Sequence, residues 1–105
     1  MEARLVWEDV LLYDPRHPLA LQGLGVVALL EGEPGLAILY LDAARYVHPE
    51  DPIIRLFTGL ALEELEKPAE AAEEYQQVID TADDPELADL AETLLESMKE
   101  KEIID

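Results

Sequence analysis

Apolar side chains recur along this chain at steps of three and four residues, and prolines divide that rhythm into six segments. The first runs from about Glu2 to Tyr13, with Leu5, Val6, Val10 and Leu11 at helical spacing and Trp7 beside them. Asp14-Pro15 ends it, because proline disfavours the helical conformation in the residue before it. Pro18 opens a second helix, at a position where a missing N–H costs nothing; it runs to about Leu30 and stops at Glu31-Gly32. Pro34 opens a third, closed after Val47 by His48-Pro49. Pro52 opens a fourth, ending near Glu66-Lys67, and Pro68 a fifth, ending near Asp80. The last starts at Asp84-Pro85, reaches about Lys101, and sets Leu87, Leu90, Leu94 and Met98 along one stripe with acid on the others. No alternating strand pattern and no long linker interrupts this order. The pattern predicts an all-α chain of antiparallel helical hairpins.

A fixed step underlies the segments. Ala3, Ala37 and Ala71 lie 34 residues apart, and so do Pro15 and Pro49, Pro18 and Pro52, Gly25 and Gly59, and Pro34 and Pro68. Small and turn-forming residues recur where two helices must touch or the chain must bend. A period of this length marks stacked repeats. It predicts one domain in which repeats over 18–51 and 52–85 are flanked by a shorter segment over 2–15 and a last helix over 86–102.

Charge changes the picture more than size does. The chain has 105 residues, enough for one small core, and no cysteine, so disulfides and thiolate metal sites are excluded. Its 25 acidic and seven basic side chains give a formal net charge of −18. Nucleic acid is excluded as a direct ligand, since neutralising phosphates needs clustered Lys and Arg. With half the residues apolar, the acidity does not mean disorder; it describes a solvated surface, with a basic partner or a salt-rich cytoplasm as the other readings. The longest apolar run, Leu24 to Leu30, is far below the ~20 residues of a membrane span, and no secretory signal opens the chain. A cytoplasmic protein without membrane contact is the expectation.

Residues 18–51 and 52–85 resemble tetratricopeptide repeats, whose pattern runs W-x2-L-G-x2-Y, then A-x3-F, then P. The first unit has Leu21, Leu24-Gly25, Ala28, Ala37-x3-Leu41, Ala44 and Pro49; the second has Gly59, Leu62, Ala71-x3-Tyr75 and Val78. Ala3-x3-Trp7, Val10 and Pro15 look like the second helix of a further unit. Arg55 and Thr58 depart from the pattern, standing in slots that are usually large and apolar, and Asp83 replaces the closing proline. The resemblance implies a right-handed superhelix of stacked hairpins, with 2–15 as a half repeat and 86–102 as a capping helix, and a non-enzymatic scaffold for a protein or peptide partner, with no cofactor. More loosely the chain is similar to the type III secretion chaperones built on such repeats. That likeness implies, as the alternative, a chaperone for a hydrophobic client.

In the family, the first helix of each hairpin lines the concave face. The lining so implied is Leu19, Gln22, Val26 and Leu29, followed by Ile53, Leu56, Leu60 and Glu63. Clamps that grip a C-terminal carboxylate use Lys, Arg and Asn, and none stands at these positions, so an apolar groove is the expectation. Gln22 is the only polar side chain between Leu19 and Leu30. A helix apolar all round must be covered on every side, by neighbouring helices, by an apolar peptide or by a second copy.

Other constellations give less. His17 and His48 sit in separate turns without the paired spacing of a metal site. The glutamates from Glu63 to Glu74 spread around helix surfaces, whereas paired-carboxylate catalysis needs a desolvated member. Asp80, Asp83 and Asp84 lack the glycine and closing glutamate of a calcium loop, and Ser97 is the only serine. No catalytic or metal-binding set emerges. The first helix has no hairpin partner in the sequence, so another copy or a partner protein would cover it; Leu5, Trp7, Val10 and Leu11 are expected to serve self-association as a homodimer.

Overall fold

Proline starts five of the six helices. The computed structural model describes the backbone of residues 2–14 and 17–101, with side chains from residue 7 onward. It contains α1 (Glu2–Tyr13), α2 (Pro18–Leu30), α3 (Pro34–Val47), α4 (Pro52–Glu64), α5 (Pro68–Thr81) and α6 (Pro85–Glu100), and no strand among the described residues. The all-α expectation is met, with helix boundaries within about two residues. Pro15, expected to close α1, lies outside the described residues.

The helix starts are chemically specific. His17 Nδ1 accepts the Ala20 N–H at 3.2 Å ahead of α2. One period later, Asp51 Oδ1 accepts the Ile53 N–H at 2.9 Å ahead of α4. Asp84 Oδ1 does the same for Glu86 at 2.9 Å ahead of α6. Each satisfies one of the amide donors that a helix start leaves without a partner.

The turns inside the two hairpins are the same turn. After α2, Gly32 N–H donates to Leu29 O at 3.1 Å and Glu33 N–H to Ala28 O at 2.8 Å. After α4, Glu66 N–H donates to Glu63 O at 3.0 Å and Lys67 N–H to Leu62 O at 2.9 Å. The reversal needs one left-handed residue, Gly32 at φ 75° in the first hairpin and Glu66 at φ 60° in the second. This turn shortens α4, which the sequence pattern carries to Glu66-Lys67.

Small residues set how closely the helices approach. A Cβ on Gly25 would lie 2.8 Å from Leu41 Cγ, and one on Gly59 would lie 2.5 Å from Tyr75 Cε1. In each hairpin a large side chain from the second helix fills the space over a glycine of the first. Around Leu41, α2, α3 and α4 enclose a core of Leu21, Ala28, Ala37, Ala44, Ile54 and Ala61. Around Tyr75, α4, α5 and α6 enclose Leu56, Ala71, Val78, Ala91, Leu95 and Met98.

Thr58 and Arg55 show how polar residues are held in apolar slots. Thr58 is buried, and its hydroxyl donates to Ile54 O at 2.8 Å. Arg55 emerges between α3 and α5 to reach Glu74 at 3.6 Å.

The stack is curved. α2 touches α4 and α4 touches α6, whereas α1, α3 and α5 make no backbone approach to one another among the described residues. The even-numbered helices therefore form the tight inner row and the odd-numbered ones the splayed outer row.

Candidate functional site

On that inner row, α2 turns Ala20, Leu21, Leu24, Val27 and Ala28 into the core. Its remaining apolar side chains are only partly covered by the rest of the chain. Val26, Leu29 and Leu30 face a cleft of about 440 Å³, whose other wall is Phe57 and Leu60 of α4, with Glu63 and Glu64 at one end. Leu30 is 79% exposed, and Val26, Leu29, Phe57 and Leu60 are half-buried. No basic side chain lines the cleft among the described residues.

Glu63 is held in place. The Tyr75 hydroxyl, reaching from α5 through the core, donates to Glu63 Oε2. Burial, then the bond to Glu63, then the charge on Glu63 push the Tyr75 phenol well above the ordinary tyrosine range, so it stays protonated as a donor. Glu63 also borders a second hollow of about 340 Å³, shared with Glu66, Pro68 and Met98.

Of the eight lining residues expected from sequence, the structure gathers Val26, Leu29, Leu60 and Glu63 on this cleft. Leu19, 54% exposed, and Ile53, 36% exposed, lie at the surface outside it, as does the half-buried Gln22. Leu56 points the other way, into the second core at 4% exposure, and offers no surface to a ligand. Leu30, Phe57 and Glu64 belong to the lining and were missed. The series Phe57, Leu60, Glu64 has helical spacing, but so has Leu56, Leu60, Glu63, so spacing alone does not choose between them.

The self-association set divides. α1 packs on α2, and a Cβ on Gly23 would lie 2.3 Å from Trp7 Cε2. The indole is therefore seated on α2, and Leu11 packs against the first core. Reading α1 as a helix without a partner overlooked Gly23, which makes the space for Trp7. Val10 is half-buried, the Leu5 side chain lies outside the described residues, and Leu12 and Tyr13 are exposed.

A larger groove of about 790 Å³ runs on the outer side, between α3, α4 and α5. Its two cations are already engaged. Arg45 pairs with Glu74 at 2.8 Å, and Arg55 reaches the same carboxylate at 3.6 Å and the Pro49 carbonyl at 3.4 Å. The Nε atoms of both arginines are buried without a hydrogen-bond partner. This cluster ties α3 to α5 across the splayed row, which reads as structure rather than as a binding site.

His17 serves as the α2 cap and His48 as the residue closing α3. Among the described residues, no three His, Cys, Asp or Glu side chains converge as metal ligands would. No helix there is long and apolar enough to cross a membrane.

A model of the tetratricopeptide repeat matches residues 1–46 and 37–86. The chain belongs to the tetratricopeptide repeat family. The two matches meet within α3 and together run from α1 through α5. No curated protein matches the chain. As a tetratricopeptide repeat protein it is a helical scaffold for protein–protein interaction, of a family that is generally non-enzymatic and binds protein or peptide partners.

Proposed function

We propose that this scaffold binds an apolar segment of a partner protein in the cleft between α2 and α4. The observation that carries the reading is the convergence of Val26, Leu29, Leu30, Phe57 and Leu60 on one open cleft without a covering helix. Apolar area removed from water is worth about 25 cal/mol per Å², which an apolar segment laid between these side chains would gain. Co-purification from the protein's own cells tests the reading. Val26→Glu and Leu60→Glu are expected to abolish capture of the partner while helicity is retained, because a buried unpaired carboxylate costs several kcal/mol. Leu30→Glu is the decisive variant, since Leu30 is 79% exposed and its replacement leaves the core intact. Undiminished capture by Leu30→Glu and Leu60→Glu would rule out the cleft.

A second reading is self-association at the α1 end. Leu12 and Tyr13 are 79% and 92% exposed there, although Trp7 and Leu11 are engaged within the chain. Sedimentation of the wild type against Leu12→Ser with Tyr13→Ser tests it; identical monomers in both would dismiss it.

A further inference from the structure

We infer that the segment bound in the α2/α4 cleft carries a lysine or arginine next to its apolar anchors, and that this cation docks on Glu63. The inference rests on the docking reading above and assigns its chemistry. A segment that filled the apolar part of the cleft would also strip water from Glu63 and Glu64 at its end. A carboxylate taken from water without a cation or donor is strongly disfavoured. Tyr75 supplies Glu63 with one donor and fixes its position, but a carboxylate accepts several hydrogen bonds. No basic side chain of this chain lines the cleft among the described residues, so a cation that pairs with Glu63 there comes from the ligand. Preorganisation favours the same answer, because a carboxylate already held by a buried phenol loses little side-chain freedom on pairing.

The chain's field selects among occupants in the same direction. A net charge of −18 attracts a basic segment and repels a second copy of itself or an anionic lipid surface. The chemistry is thus the inverse of a carboxylate clamp: the acid belongs to the scaffold and the cation to the guest.

A random peptide library displayed on phage, selected on the immobilised full chain, tests this. Parallel selections use Glu63→Gln, which keeps an acceptor for Tyr75, and Glu73→Gln, an equal charge change at an exposed position on the outer groove. The wild type and Glu73→Gln are expected to enrich apolar runs with Lys or Arg at one fixed offset. Glu63→Gln is expected to keep the apolar run and lose the basic position. Peptides chosen on the wild type should bind Glu63→Gln roughly tenfold more weakly, the scale of one lost charge-assisted hydrogen bond. Apolar peptides without a basic position, or equal basic enrichment on Glu63→Gln, would overturn the inference and leave apolar docking standing. Selected peptides indifferent to Leu30→Glu, or no enriched peptides at all, would overturn the docking reading and this inference with it. A dimer in sedimentation that Leu30→Glu dissociates would show a second copy in the cleft and also overturn it.

Discussion

Glu66 is the residue at which this chain departs most plainly from its own repeat. It sits one period after Gly32 and makes the same turn, yet it carries a side chain at φ 60°. A left-handed conformation costs an ordinary residue about 1–2 kcal/mol, partly offset by the greater freedom that glycine has in the unfolded chain. Glu66→Gly is therefore expected to raise stability by roughly 0.5–1 kcal/mol, and Gly32→Glu to lower it, both read from urea midpoints. Equal midpoints for Glu66→Gly and wild type would mean that the turn is unstrained. Gly59 is the opposite case. Its added Cβ would meet Tyr75 at 2.5 Å, and a fully buried aromatic ring has little room to retreat, so Gly59→Ala is expected to destabilise by about 1–3 kcal/mol. Tyr75 itself predicts a pH dependence. Its folded pKa lies above the ordinary value of about 10, so the folded state keeps a proton that the unfolded state releases in alkali. The stabilisation is present below pH ~10 and is lost as pH rises towards the folded value. The stability difference between wild type and Tyr75→Phe should shrink between pH ~8 and pH ~11. A constant difference across that range would contradict the buried, protonated phenol.

At the scale of elements, α6 contributes mainly by covering α5. Its buried stripe of Ala91, Leu95 and Met98 closes the core over Ala71, Tyr75 and Val78. Met98→Ala, at a position 1% exposed, is expected to cost about 2–5 kcal/mol, and to loosen α5 and α6 before α2 and α3. Hydrogen exchange resolved by helix would check the order; uniform loosening would show that the two cores unfold as one. Helix order and boundaries were legible in the sequence because the signals are local: a proline at the start of α2 to α6, an acid or histidine capping α2, α4 and α6, and a glycine or proline in the turns ahead of α2, α3 and α4. The cleft was only half legible. Val26, Leu29, Leu60 and Glu63 follow from knowing which helix forms the inner row, but the rotation of that helix is fixed by packing. Gly59 under Tyr75 brings α4 against α5, which turns Leu56 inwards and leaves Phe57 at the cleft. Position 56 and position 57 are both large and apolar, so no local pattern separates them. The seat of Trp7 was illegible for the same reason, since what receives it is an absence of side chain at Gly23.

For the molecule as a whole the charge sets the behaviour. Folding draws 25 carboxylate side chains, against seven basic ones, into a volume much smaller than the unfolded chain occupies. Arg45 and Arg55 are both committed to Glu74, so they relieve little of the repulsion elsewhere. Such self-repulsion reaches across ~30 Å at 0.01 M ionic strength but only ~8 Å at 0.15 M. The melting temperature is therefore expected to rise with sodium chloride between those concentrations, and potassium chloride to act alike, because screening depends on ionic strength and not on the ion. A cationic segment docked on Glu63 responds with the opposite sign, since the same screening weakens its attraction to the chain. Calorimetric melting and peptide titration in one salt series separate the two. Rising stability with falling affinity fits an acidic scaffold that docks a basic, apolar guest. Stability and affinity rising together would mean that the cleft is held by apolar contact alone, and a melting temperature indifferent to salt would mean that the surface charge is already balanced within the fold.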